Sequence, residues 1–148
     1  MTPSAHADKV VVRRRIPATR EELFDAWIDP ESMRQWMCPG DVVSADVQMD
    51  PRVGGSFLIL MRSPTQVHEH RGEFTVVERP SKLAFTWSAN ATDPHLSLVT
   101  VEFFQVSATE SDLQLTHEGL PGKDVADRYQ AGWGKIVIHL EECLRRKG

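Results

Sequence analysis

The stretch from Pro121 to Gly148, PGKDVADRYQAGWGKIVIHLEECLRRKG, decides the fold. Val125, Tyr129, Trp133, Ile136, Leu140 and Leu144 recur at steps of three and four residues, which puts them on one face of a helix, while Lys123, Asp127, Lys135 and Glu142 fall mostly elsewhere. Such a helix must bury its stripe against another element. The segment from Val42 to Leu120 reads as β throughout, so the helix is expected to lie across a curved sheet. Gly132 and Gly134 in its interior cost about 1 kcal/mol each relative to alanine. Interior glycines point to close backbone approach, a bend, or space left beside the Trp133 indole.

Upstream of the sheet, Lys9 to Ile16 reads as a first strand, with Val10, Val12, Arg14 and Ile16 on one face and Val11, Arg13 and Arg15 on the other. Thr19 and Glu22 then form a T-x-x-E capping box, and Leu23, Phe24, Trp27 and Ile28 supply the buried stripe of the helix it starts. Asp29-Pro30 stops that helix and starts a second, short one through Met33, Trp36 and Met37, which Cys38-Pro39-Gly40 ends. Strands follow at Val42 to Asp50, Gly55 to Arg62, His68 to Glu78, Lys82 to Ser88, Leu96 to Ser107 and Asp112 to Glu118. They are punctuated by Pro51 to Gly54, Ser63-Pro64, Arg79-Pro80-Ser81, Asn90 to Pro94 and Ala108 to Ser111. Seven strands with a helix pair after the first and one long helix at the end indicate an α+β architecture, because the helices are segregated from the strands.

The 148 residues, 41% of them hydrophobic, suit a single domain that needs neither metal nor disulfide. Met1 to Asp8 reads as a disordered tail, leaving one domain over 9–148. Cys38 and Cys143 have no metal-type spacing and read as two free thiols, which suits a reducing cytoplasm. The start lacks the basic and apolar runs of a signal peptide, and no apolar stretch approaches a membrane span. A net charge of −4 gives a nucleic-acid partner no support. The one basic run, Arg13-Arg14-Arg15, alternates its side chains across a strand and forms no single patch.

Several segments together resemble a known family: Glu22-Leu23-Phe24-Asp25-Ala26-Trp27-Ile28-Asp29-Pro30-Glu31, Val53-Gly54-Gly55-Ser56-Phe57, His70-Arg71-Gly72-Glu73-Phe74, Leu83-Ala84-Phe85-Thr86-Trp87, Leu115-Thr116-His117-Glu118-Gly119 and Ala131-Gly132-Trp133. In this order they resemble small bacterial proteins related to the C-terminal domain of the activator of the ninety-kilodalton heat-shock-protein ATPase. Those proteins belong to the SRPBCC superfamily of START-like and birch-pollen-allergen-like domains. The resemblance spans Val10 to Leu144 and implies a helix-grip fold, in which a seven-stranded antiparallel sheet wraps the C-terminal helix around a cavity. It says little about activity, since the superfamily holds carriers, receptors, cyclases and co-chaperone domains.

If the concave face meets the last helix, alternation selects what lines the hollow: Phe57, Ile59 and Met61; His70, Phe74 and Val76; Leu83, Phe85 and Trp87; Val99, Val101 and Phe103; Leu113, Leu115 and His117. Leu58 and Leu60 leave the face of their strand ambiguous. Trp36 and Met37 from the short helix, and Tyr129, Trp133 and Ile136 from the long one, are placed to close it. Arg14, His70 and His117 are the polar groups expected on the inner face, each either orienting a ligand or satisfied by an internal partner. His68 and His70 with His117 outline a metal site only loosely, and no cofactor is expected. No nucleophile elbow or phosphate loop is present.

The leading expectation is therefore a non-enzymatic domain enclosing a hydrophobic or amphipathic small molecule. One rival is a cyclase- or hydratase-like enzyme with His70, His117 or Tyr129 as acid or base. The other is a chaperone-associated or stress-linked interaction module, with self-association as a further weakly supported partner.

Overall fold

The computed structural model describes residues 8–38, 42–89 and 96–147. In chain order they form β1 (Asp8–Ile16), α1 (Arg20–Trp27), α2 (Pro30–Trp36), β2 (Ser44–Met49), β3 (Ser56–Arg62), β4 (Val67–Glu78), β5 (Lys82–Ala89), β6 (Ser97–Gln105), β7 (Ser111–Leu120) and α3 (Lys123–Lys147). The strands make one curved antiparallel sheet in the order β1-β7-β6-β5-β4-β3-β2. Six strands follow one another as a meander, and β1 closes the far edge by pairing with β7. The fold is the α+β helix grip: α3 lies against β1 and β7, and α2 packs between α3 and β2.

Local chemistry accounts for these boundaries. Thr19 Oγ1 accepts from the Glu22 backbone N–H at 3.2 Å, and Glu22 Oε1 accepts from the Thr19 N–H at 2.9 Å. Asp29 Oδ1 caps α2 by accepting from the Glu31 N–H at 3.0 Å. In the β2–β3 turn Gly54 takes a φ of +86°, a conformation in which a side chain is strained.

On α3 the buried residues Ala126, Trp133, Ile136, Val137, Leu140, Cys143 and Leu144 form the expected stripe, with Tyr129 and Val125 partly buried beside it. On β3 the ambiguity resolves in favour of Phe57, Ile59 and Met61, all buried. Strand β4 departs from simple alternation. Phe74 pairs with Phe85 but Val76 pairs with Ala84, so Thr75 is an extra residue in the ladder. Val77, opposite Leu83, therefore packs on the core in place of Val76, because a bulge reverses the faces beyond it. Asp8, assigned above to the tail, is the first residue of β1 and pairs with Leu120. The rest of that tail, Pro39-Gly40, the Asn90 to Pro94 turn and His95 lie outside the described residues.

Two glycines on opposite elements give predictions of opposite sign. A Cβ at Gly72 would overlap the Thr86 carbonyl oxygen and the Phe57 ring packed across from it, whereas a Cβ at Gly134 would meet no neighbouring atom. Gly72→Ala is expected to destabilise by about 1–3 kcal/mol or more through overpacking. Gly134→Ala is expected to stabilise α3 by up to about 1 kcal/mol, since only the helix-propensity difference remains. Urea titration of both variants checks the pair, and a destabilised Gly134→Ala would mean that α3 needs this glycine.

Candidate functional site

The interior is a continuous aromatic cluster centred on Trp87. Its ring centroid lies 4.9 Å from His70, 5.2 Å from Trp133, 5.9 Å from Phe57 and 6.2 Å from Phe85. Alternation on β5 sends Phe85 and Trp87 inward together, and the hairpin with β4 brings His70 alongside. Trp27 of α1 reaches the same cluster, 4.8 Å from Trp36 and 6.2 Å from Trp133.

A chain of hydrogen bonds ties this cluster to α3. Trp133 Nε1 donates to His117 Nδ1 at 3.0 Å, and His117 Nε2 lies 2.6 Å from Ser97 Oγ. An indole N–H can only donate, so Nδ1 is the bare nitrogen and the His117 proton sits on Nε2, facing Ser97. Ser97 Oγ in turn donates to the Trp87 carbonyl at 3.2 Å. His117 is wholly buried, and both of its nitrogens are engaged. It packs edge-on to Tyr129 at 4.5 Å, and Tyr129 Oη accepts from Trp87 Nε1 at 3.2 Å.

His70 is placed differently. It is largely buried, stacks on Trp87, and its Nδ1 has no hydrogen-bond partner. Burial first, and the neighbouring His68 second, lower its pKa to about 4, so the ring is neutral at pH 7.

One small cavity opens within the cluster, under α2 and the β2–β3 hairpin. Its volume is about 10 Å³, room for roughly a single water, and its walls are Trp27, Met33, Met37, Met49, Phe57, Ile59, Phe74, Phe85 and Trp87. Of the residues the sequence assigned to a hollow, Met37, Phe57, Ile59, Phe74, Phe85 and Trp87 line it. Trp36, Met61, Val101, Phe103, Leu115 and Ile136 are packed core away from it. Trp133, His117 and Tyr129 form the polar relay beside it. Arg14 reaches α3 instead: its Nε donates to Glu141 Oε1 at 2.5 Å, and Glu141 is also held by Arg145 at 2.8 Å. Burial raises the Glu141 pKa, but the two guanidiniums outweigh it and hold the carboxyl below its usual range.

Trp27, Met33 and Met49 were not assigned to the hollow from sequence. The signal for the first two was present, since both sit on the buried faces of the short helices. The Trp27 indole N–H is also buried without a partner. Among the described residues no three His, Cys, Asp or Glu side chains are grouped to hold a metal ion, and His117, the third imidazole of the loose outline, has its nitrogens spent.

A seven-stranded sheet gripping a C-terminal helix around an aromatic core defines a START-like domain of the SRPBCC type. Within that class, the family model for activator of Hsp90 ATPase homolog 1-like proteins matches residues 17–145, and the chain belongs to that family. Among solved structures, a Chromobacterium violaceum protein superposes with a TM-score of 0.80 at 20% identity, covering 91% of this chain and 96% of that one. A Nitrosomonas europaea protein gives 0.80 at 18% identity over 99% and 98%. An HSP90 activator from Plasmodium falciparum gives 0.75 at 25% identity over 93% and 96%. No curated protein matches the chain.

Two predictions follow from the imidazoles. Trp133→Phe keeps most of the apolar volume but leaves His117 Nδ1 buried without a donor, and is expected to cost about 1–3 kcal/mol in a denaturant titration. A cost near zero would dissociate α3 from the relay. For His70, the folded pKa lies below the unfolded value of 6.5, so the unfolded chain binds more protons between pH 6.5 and 4. Its contribution is fully present above pH 6.5 and is lost as pH falls toward 4, on the order of 3 kcal/mol in all. Stability measured across that window should flatten in His70→Gln relative to the parent; parallel slopes would place the imidazole in water.

Proposed function

We propose that the protein is a non-catalytic binding domain that takes a hydrophobic or amphipathic small molecule into the space between the sheet and its helices. The observation that carries this reading is the cavity under α2, which is apolar and has Met33, Met37 and Met49 among its walls. Methionine side chains are unbranched and repack at low cost, so the pocket can enlarge where its opposite, aromatic wall cannot. Two buried ring nitrogens of the surrounding cluster lack hydrogen-bond partners, Trp27 Nε1 in the cavity wall and His70 Nδ1 behind Trp87, and a ligand with a matching polar atom would supply one. The acid–base reading is the weaker one. His117 is held as a neutral structural link, and His70 is neutral at pH 7 with no carboxylate among its hydrogen-bond partners. Two free thiols favour a reducing cytoplasm as the site of action.

A second reading, a chaperone-associated module working through its outer surface, draws support from the family description and from the Plasmodium HSP90 activator. One experiment separates the two. Titration with a fatty-acid, steroid and polycyclic aromatic panel is expected to change Trp fluorescence at one ligand per chain, with Met37→Trp, which narrows the cavity, weakening the response. Silence across the panel, with stimulation of an Hsp90 ATPase by the added chain, would reject the small-molecule reading in favour of the chaperone one.

A further inference from the structure

A second recess lies at the corner where β1, β7 and β6 run side by side, formed mainly by outward-facing side chains, with the inner-face pair Arg14 and Leu113 also at its border. It is a solvent-open depression of about 300 Å³, and its outward-facing border is made by Arg13, Arg15, Phe104, Asp112 and Gln114. That volume is about the lower end of small-molecule pockets. Register explains its composition: Arg15 stands opposite Asp112, Asp112 opposite Phe104, and Arg13 opposite Gln114, all on the face turned away from α3.

Charge is distributed unevenly here. On a chain of net charge −4, three arginines border the recess against one carboxylate. Arg15 is spent on that carboxylate, through paired bonds of 2.8 and 3.1 Å to Asp112, and Arg14 is spent on Glu141. Arg13 is exposed and makes no ion pair or side-chain hydrogen bond among the described residues. The next carboxylate on this face, Glu102, lies opposite Gln114 with Lys82 opposite it on the far side. Phe104 is 49% exposed and is the single aromatic among the exposed large hydrophobic residues described. A guanidinium fork without an ion-pair partner among the described residues and a half-exposed phenyl ring thus share one recess.

We propose that this recess is a binding site for a small planar aromatic carboxylate, its ring laid on Phe104 and its two oxygens taken by the Arg13 fork. Guanidinium matches carboxylate in a bidentate geometry, which sets orientation as well as affinity. Gln114 offers an amide beside the fork, able to donate to the same carboxylate. The site shares no lining residue with the methionine-walled cavity.

The probe is 2-naphthoate, followed by backbone amide NMR shifts. Shifts are expected at Arg13, Phe104 and Gln114, with affinity falling about tenfold or more in Arg13→Gln and in Phe104→Ser, as loss of a charged hydrogen-bonded pair or of a ring contact implies. Both side chains are exposed, so neither change disturbs the core. 2-Naphthol, which lacks the charge, and cyclohexanecarboxylate, which lacks the flat ring, should each bind at least about tenfold more weakly. Naphthoate shifts confined to the surroundings of Trp87 and Met37, affinity unchanged by Arg13→Gln, or inorganic phosphate binding as tightly as naphthoate would each overturn the proposal.

Discussion

The hydrogen bond from the Trp133 indole to His117 fixes where α3 sits on the sheet, and much of the interior follows from it. His117 is wholly buried on β7, where an unpaired ring nitrogen would cost about 1–3 kcal/mol. Matching Nδ1 to an indole forces the proton onto Nε2, and Ser97 on β6 is there to accept it. The Ser97 hydroxyl in turn donates a hydrogen bond to the Trp87 carbonyl on β5. One relay thus links the helix to three adjacent strands, and its last member carries the indole around which the other rings pack. Apolar burial supplies the driving force but is non-directional. The relay selects the rotation and height of α3 among the many that would bury the same stripe.

Much of this architecture is legible in the residues. The Thr19–Glu22 box, the Asp29-Pro30 restart and the three-and-four spacing through Trp133, Ile136 and Leu140 each have a local cause, so a local pattern announces them. What is not legible depends on pairing between distant residues. Thr75 looks like any strand residue, and only the register against Ala84 and Phe85 makes it a bulge that turns Val77 inward. Arg14 follows the inner-face alternation, yet its length carries it to Glu141 on α3, 127 residues away, so it serves as a clamp. The helical spacing that predicts Leu140 and Leu144 also puts Glu141 near that face; its burial becomes intelligible once two arginines are seen to hold it. The extent of the hollow is not legible for a related reason: periodicity says which side chains face inward but not how completely they fill the space between them.

How full that space is bears directly on function. A cavity with room for about one water is below the size of any organic ligand, so the small-molecule binding proposed above requires its walls to move. The walls are not equivalent. Phe57, Phe74, Phe85 and Trp87 hold one another through ring contacts of 5.3 to 6.2 Å, and any shift would break several at once. Met33, Met37 and Met49 lie on α2 and the edge strand β2, at the border of the domain.

The anchors of α3 sharpen that asymmetry. Near its middle the helix is held by the Trp133 relay, and near its C-terminus by Glu141 between Arg14 and Arg145. The Glu141 anchor leads to β1, and the Trp133 relay runs through β7 and β6 to β5. The α2 and β2 side is fastened mainly by apolar packing of adaptable side chains, with the Trp36 indole bonded only within its own helix, to Ser32. One half of the domain thus carries directional buried hydrogen bonds, and the other carries unbranched methionine side chains that repack at low cost. The cavity lies in the methionine half, so the interactions that fix the position of α3 are separate from the adaptable side chains that line the cavity on the α2 side.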